Sequence, residues 1–106
     1  MVKTYLYLVI LGETDSSNFH EEEKLLKSLG EVEKLTERTY GLVLKSETTP
    51  NRKELMKIIS DDGKYVSIIV RITANTKFSW CLYKPQSEYL TNIYETLINE
   101  SQMENE

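Results

Sequence analysis

The stretch K-T-Y-L-Y-L-V-I-L, Lys3–Leu11, constrains the fold more than any other part of this chain. A half-exposed strand alternates apolar and polar residues, whereas this run is apolar at almost every position and rich in Tyr, Val, Ile and Leu. It reads as a central strand buried on both faces. Its apolar part, residues 5–11, falls well short of the roughly 20 residues a membrane span needs. It follows a single lysine and leads into no small-residue cleavage site, so neither a membrane segment nor a signal peptide is expected.

Past Leu11 the pattern changes. Gly12 turns the chain, and Asn18 with Glu21 three residues on has the form of a capping box, followed by Glu22 and Glu23. Phe19, Leu25, Leu26 and Leu29 supply an apolar stripe and Gly30 a stop, which predicts a helix of roughly 12 residues. Two strands are predicted at 31–36 and 39–45, with a hairpin turn at Glu37 and Arg38. Thr49 and Pro50 mark a second helix start, a cap residue followed by proline. Leu55, Met56, Ile58 and Ile59 form the buried face of that helix, and Asp61, Asp62 and Gly63 end it. Residues 64–73 alternate, with Val66, Ile68, Val70 and Ile72 on one face. This β-α-β-β-α-β order is that of a ferredoxin-like sandwich, an α+β fold with one sheet and two helices on one face.

The remainder is harder to place. Residues 78–83, F-S-W-C-L-Y, form either a fifth strand or an aromatic arm, which Pro85 ends. Ser87 then caps a third helix over 87–99, where Leu90, Ile93, Tyr94, Leu97 and Ile98 recur with a helical period. That stripe covers the bare face of the sheet or meets a partner; the sequence does not decide. A single domain over residues 1–100 is expected, with its core at 3–73, its arm and added helix at 78–100, and a disordered acidic tail at 101–106.

Charge narrows the partners. The net charge is −4, with five glutamates and no lysine or arginine from Glu88 onward. Nucleic-acid binding draws largely on neutralised phosphates, so the acidic balance disfavours it. The basic residues Arg38, Lys45, Arg52, Lys53 and Lys57 are the exception. Arg52, Lys53 and Lys57 share a helix and offer an alternative phosphate-contacting set, although their spacing is also that of a solvated helix face. His20 is the only histidine, which excludes a multi-histidine metal site within one chain, and it reads as a surface residue. Cys81 is the only cysteine. No internal disulfide can form, a reducing cytoplasm is the simplest location, and a buried thiol is expected.

Several stretches together resemble the small Cas2-like proteins, nearest to the short ones often labelled SinR-like. They are K-T-Y-L at the start, K-S-L-G closing the first helix, T-Y-G-L-V-L as the third strand, and V-S-I-I-V-R-I-T followed by Ser79 and Trp80. The resemblance implies a ferredoxin-like protomer that pairs as a homodimer. In the Cas2 proteins of CRISPR systems it also implies duplex-DNA binding as an adaptor for spacer integration, or metal-dependent cleavage of nucleic acid. The family's characteristic acid is an aspartate in a Tyr-Asp pair ending the first strand. Aligning K-T-Y-L with the family's usual start places Val9 and Ile10 at that pair, so the aspartate is replaced by Ile10. No catalytic residue and no cofactor are therefore expected. Glu13 and Asp15 are the alternative ligands for Mg²⁺ or Mn²⁺, and their simpler role is in the turn and helix cap.

The expected protein is a non-catalytic, Cas2-like homodimer in the cytoplasm that binds a protein partner, in a phage or host-defence setting. Phe78, Trp80, Leu82, Tyr83, Leu90 and Tyr94 are the expected interface, since buried interface cores favour aromatic residues. The alternatives are a metal-dependent endonuclease or toxin using Glu13 and Asp15, and a non-cleaving nucleic-acid adaptor using Arg52, Lys53 and Lys57.

Overall fold

The chain forms β1 (Lys3–Leu11), α1 (His20–Leu29), β2 (Glu31–Lys34), β3 (Thr39–Ser46), α2 (Arg52–Ile59), β4 (Ser67–Ile72) and α3 (Lys84–Glu104). The computed structural model describes residues 1–12 and 20–104. β1 lies inside the sheet, as its composition requires. β3 pairs along one side, with Leu6 opposite Val43, and β4 along the other, with Leu6 opposite Ile72 and Ile10 opposite Ile68. The strand order is β2-β3-β1-β4 and every pairing is antiparallel. Among the described residues this gives an α+β domain with a four-stranded antiparallel sheet and three helices, which is compatible with the expected ferredoxin-like arrangement.

The two faces of β1 feed two separate cores. Tyr5, Tyr7, Val9 and Leu11 join Tyr40 and Leu42 of β3 beneath Leu26 of α1 and Leu55 and Ile59 of α2. On the other face Leu6, Val43 and Ile72 meet Leu90 and Leu97 of α3. The stripe left open by the sequence therefore covers the chain's own sheet, which gives three layers rather than two.

Local chemistry moves several boundaries. α2 is capped by Asn51 rather than Thr49, because the Asn51 carboxamide oxygen accepts from the backbone N–H of both Lys53 (2.9 Å) and Glu54 (3.2 Å). Thr49 instead lies with its hydroxyl 3.5 Å from that of Tyr5. α2 ends as expected, in a turn with positive φ at Asp61, Asp62 and Gly63. Gly30 follows α1 without a positive φ. It is needed because a Cβ there would collide with the Val43 carbonyl oxygen on the neighbouring strand.

Residues 78–83 are not a strand. They run as an extended arm in which Phe78, Trp80 and Leu82 turn inward while Ser79, Cys81 and Tyr83 turn outward. Cys81 is accordingly exposed, not buried. α3 starts at Lys84, earlier than Ser87, since proline is tolerated in a first helical turn. The Ser87 hydroxyl is occupied otherwise, accepting from Trp80 Nε1 at 3.1 Å. The helix continues to Glu104, into the segment read from composition as a tail, with no glycine or proline to stop it.

Candidate functional site

α3 crosses the second face over β3 and β1 and reaches β4 only at Ile72, leaving Ile68 and Val70 partly open. At Gly41 of β3 the backbone lies so close to the helix that a Cβ would stand 3.1 Å from the Tyr89 ring. Along the β1–β4 ladder the cover thins in register. Leu6 and Ile72 are 0% and 3% exposed, Val70 opposite Leu8 is 41%, and Ile10 and Ile68 opposite each other are 39% and 57%. Val66, just beyond the strand, is 68% exposed. Ile10, Val66, Ile68 and Val70 thus make a strip of branched aliphatic side chains on the open part of the sheet.

The strip is held in shape by its neighbours. The Gly12 N–H donates to the Val66 carbonyl at 2.7 Å, and any Cβ on Gly12 would meet Val66 Cγ1 at 2.7 Å, so glycine lets the two segments meet. β4 is also the last strand in the sheet order. Edge strands offer backbone hydrogen-bonding groups to another chain, and proteins commonly guard them with charge. The one charged residue of β4, Arg71, faces the other side, where its guanidinium lies 5.2 Å from the centre of the Tyr5 ring. Among the described residues, the strip thus combines exposed branched aliphatic side chains with an edge strand that carries no charge on the same face.

The arm and α3 use the expected interface residues within the chain itself. Phe78 and Trp80 rings are 5.2 Å apart, and Phe78 meets Tyr94 edge-on at 5.5 Å. Phe78, Trp80, Leu82 and Tyr94 pack against the second core, and Leu90 belongs to it. Tyr83 alone of the six points outward, 83% exposed. Tyr89, beside them, has a phenol pushed up to about 12, first by burial and then by the carboxylates of Glu33 and Glu31.

The remaining sequence candidates are dispersed. Glu13 and Asp15 lie outside the described residues. Among the described residues, no group of three or more His, Cys, Asp or Glu side chains could hold a metal ion. Ile10 stands near the end of β1, part of the apolar strip. His20 is exposed at the first position of α1. Arg52, Lys53 and Lys57 are exposed on α2, and Lys57 reaches Asp62 at 3.8 Å. Arg38 and Lys45 flank opposite ends of β3, roughly 20 Å apart at strand rise. The structure therefore does not gather the five basic residues into one patch.

The strip was only half visible in the sequence. Alternation put Val66, Ile68, Val70 and Ile72 on one face, but nothing local shows that α3 covers only the last of them. No protein-family model matches the chain, and no curated protein or solved structure does either. The Cas2-like likeness rests on the residues quoted for it.

Proposed function

We propose that this chain is a non-catalytic interaction module of ferredoxin-like, Cas2-like type that pairs as a homodimer and engages a protein partner in the cytoplasm. The observation carrying this reading is the apolar strip of Ile10, Val66, Ile68 and Val70 along the open β4 edge. Two copies brought edge to edge about a two-fold axis would extend the sheet and place the two strips side by side. A phage or host-defence setting is the context proposed for a small acidic protein of this kind.

Light scattering on the purified chain tests the pairing. A dimer is expected at micromolar concentration, and Ile68→Asp with Val70→Asp should yield a folded monomer. A wild-type monomer persisting to about 100 μM would exclude a dimer of useful affinity. The non-catalytic part is tested separately, by incubating RNA and DNA with Mg²⁺ or Mn²⁺. No cleavage is expected; cleavage lost in Glu13→Ala with Asp15→Ala would make the chain a nuclease instead. Duplex binding that weakens steeply with salt and is lost on replacing Arg52, Lys53 and Lys57 would point to the adaptor.

A further inference from the structure

A second feature lies at the opposite end of the sheet from the open strip. The start of β1, the end of β4 with the loop after it, Thr49 and the last turns of α3 enclose a cleft of about 190 Å³. Its walls carry both signs of charge: Lys3 and Arg71 line it together with Glu100. Hydrogen-bonding groups of Tyr5, Thr49 and Asn75 also line it, beside the apolar Ile72 and Leu97.

The walls are pinned. Glu100 Oε1 accepts from the Thr4 backbone N–H at 2.7 Å, which ties the end of α3 to the start of β1 and fixes the carboxylate in the cleft. Arg71 is steadied by the Tyr5 ring beneath its guanidinium, at 5.2 Å. The loop wall is fixed from α3, since the Tyr94 hydroxyl lies 3.1 Å from the carbonyl oxygen of Ala74 and 3.0 Å from that of Thr76. Within the loop, the Thr73 N–H donates to Thr76 Oγ1 at 2.8 Å and the Asn75 N–H to Thr73 Oγ1 at 3.2 Å. A site whose polar groups are already held in place loses less entropy when a ligand binds.

We infer that this cleft binds a small zwitterion of free amino-acid size, with its carboxylate on Arg71 and its ammonium on Glu100. A planar guanidinium matches a carboxylate in a two-point contact. A fixed carboxylate is the natural partner of an ammonium. Against phosphate the Glu100 carboxylate is repulsive while Lys3 and Arg71 attract, so phosphate is the competing ligand that the test must separate. The size agrees too, because the cleft is below the usual range of about 300–1,000 Å³ for drug-sized ligands. The inference is independent of the proposed pairing through β4, which uses other residues.

Backbone amide NMR on the full chain tests it, with the twenty amino acids added one at a time and inorganic phosphate as a separate arm. At least one free amino acid should cause saturable shifts at Thr4 and Asn75. Its N-acetyl and carboxamide derivatives, each lacking one charge, should bind about tenfold more weakly or worse. Arg71→Gln and Glu100→Gln should each weaken binding by a similar factor. The second variant keeps an oxygen for the Thr4 N–H, so an unchanged amide spectrum without ligand shows that the fold is intact. The inference is overturned if no amino acid shifts these amides at about 10 mM, where even a millimolar site is mostly filled. Phosphate binding that is tighter than any amino acid's and improves in Glu100→Gln overturns it as well, because that describes an anion site.

Discussion

The two faces of the sheet are built from the same strands and end up in different states. On the first, α1 and α2 close over Tyr5, Tyr7, Val9 and Leu11. On the second, one long helix and an irregular arm close over Leu6, Val43 and Ile72 but leave Ile10, Ile68 and Val70 partly open. Two helices side by side span a sheet of this width, whereas one helix, about 10 Å across, does not span four strands spaced nearly 5 Å apart. The open strip is a geometric consequence of covering the second face with a single helix.

The strongest way to break this comparison is to ask whether the second face is a true core at all. Leu42→Ala under α1 and α2, and Leu90→Ala in α3, each empty a side chain that is at most 1% exposed. Both should lower the unfolding free energy by about 3 kcal/mol in urea titration. A loss below about 1 kcal/mol for Leu90→Ala alone would mean that α3 lies loosely on the sheet, and the second face would then be open along its whole width.

Two glycines sharpen the comparison at smaller scale. On Gly30 a new Cβ meets the Val43 carbonyl oxygen, which is backbone and cannot turn aside, whereas on Gly41 it meets the rim of the Tyr89 ring at 3.1 Å. Gly30→Ala should cost about 2 kcal/mol and Gly41→Ala about 1 kcal/mol or less by thermal or urea unfolding. The reverse order would show that α3 is seated more rigidly than the backbone joining α1 to β2.

Much of the first face was legible in the sequence and little of the second. The uninterrupted apolar run of β1 and the Leu26 stripe of α1 follow from short-range periodicity and reach the first core. The alternation of residues 64–73 is equally local, but the strand covers only Ser67–Ile72 and its alternating apolar side chains lie on the second face. Ser87 illustrates the opposite case. Its identity suggests a cap, but its hydroxyl accepts from Trp80, a contact with a residue outside its helix. Cys81 shows the same limit: cysteine composition favours burial, while the alternation of the arm turns this residue outward. The cleft at Arg71 and Glu100 joins residues 29 positions apart through two separate elements, so no local pattern could have announced it.

Alkaline titration offers a gentler probe of both faces. Burial is the first cause raising the phenols of Tyr7 and Tyr40 on the first face and of Tyr89, to about 12, on the second. Unfolded tyrosine ionises near pH 10. The folded chain holds these protons more tightly, so stability should be level below about pH 10 and fall as the pH rises from there toward 12. Urea midpoints at about pH 8 and pH 11 would show the slope. Tyr89→Phe should flatten it. At neutral pH this change should cost little, because the Tyr89 hydroxyl is buried with no hydrogen-bond partner among the described residues. A slope unchanged in Tyr89→Phe would assign the effect to the first face alone.

The smallest effect on stability is the most informative about the open strip. Ile68 is 57% exposed in the chain by itself, so Ile68→Thr should change the unfolding free energy of dilute, monomeric protein by less than about 0.5 kcal/mol. The same substitution should weaken self-association, because it removes apolar surface that is covered only when a partner edge arrives. The contrast lies in the pairing of the two measurements. A residue silent in stability and costly in association belongs to a surface, whereas one costly in stability at every concentration belongs to a core. If dilute Ile68→Thr loses more than about 1 kcal/mol, α3 or the arm already covers β4 in solution. The two faces would then be alike after all, and the strip would have no room for a partner.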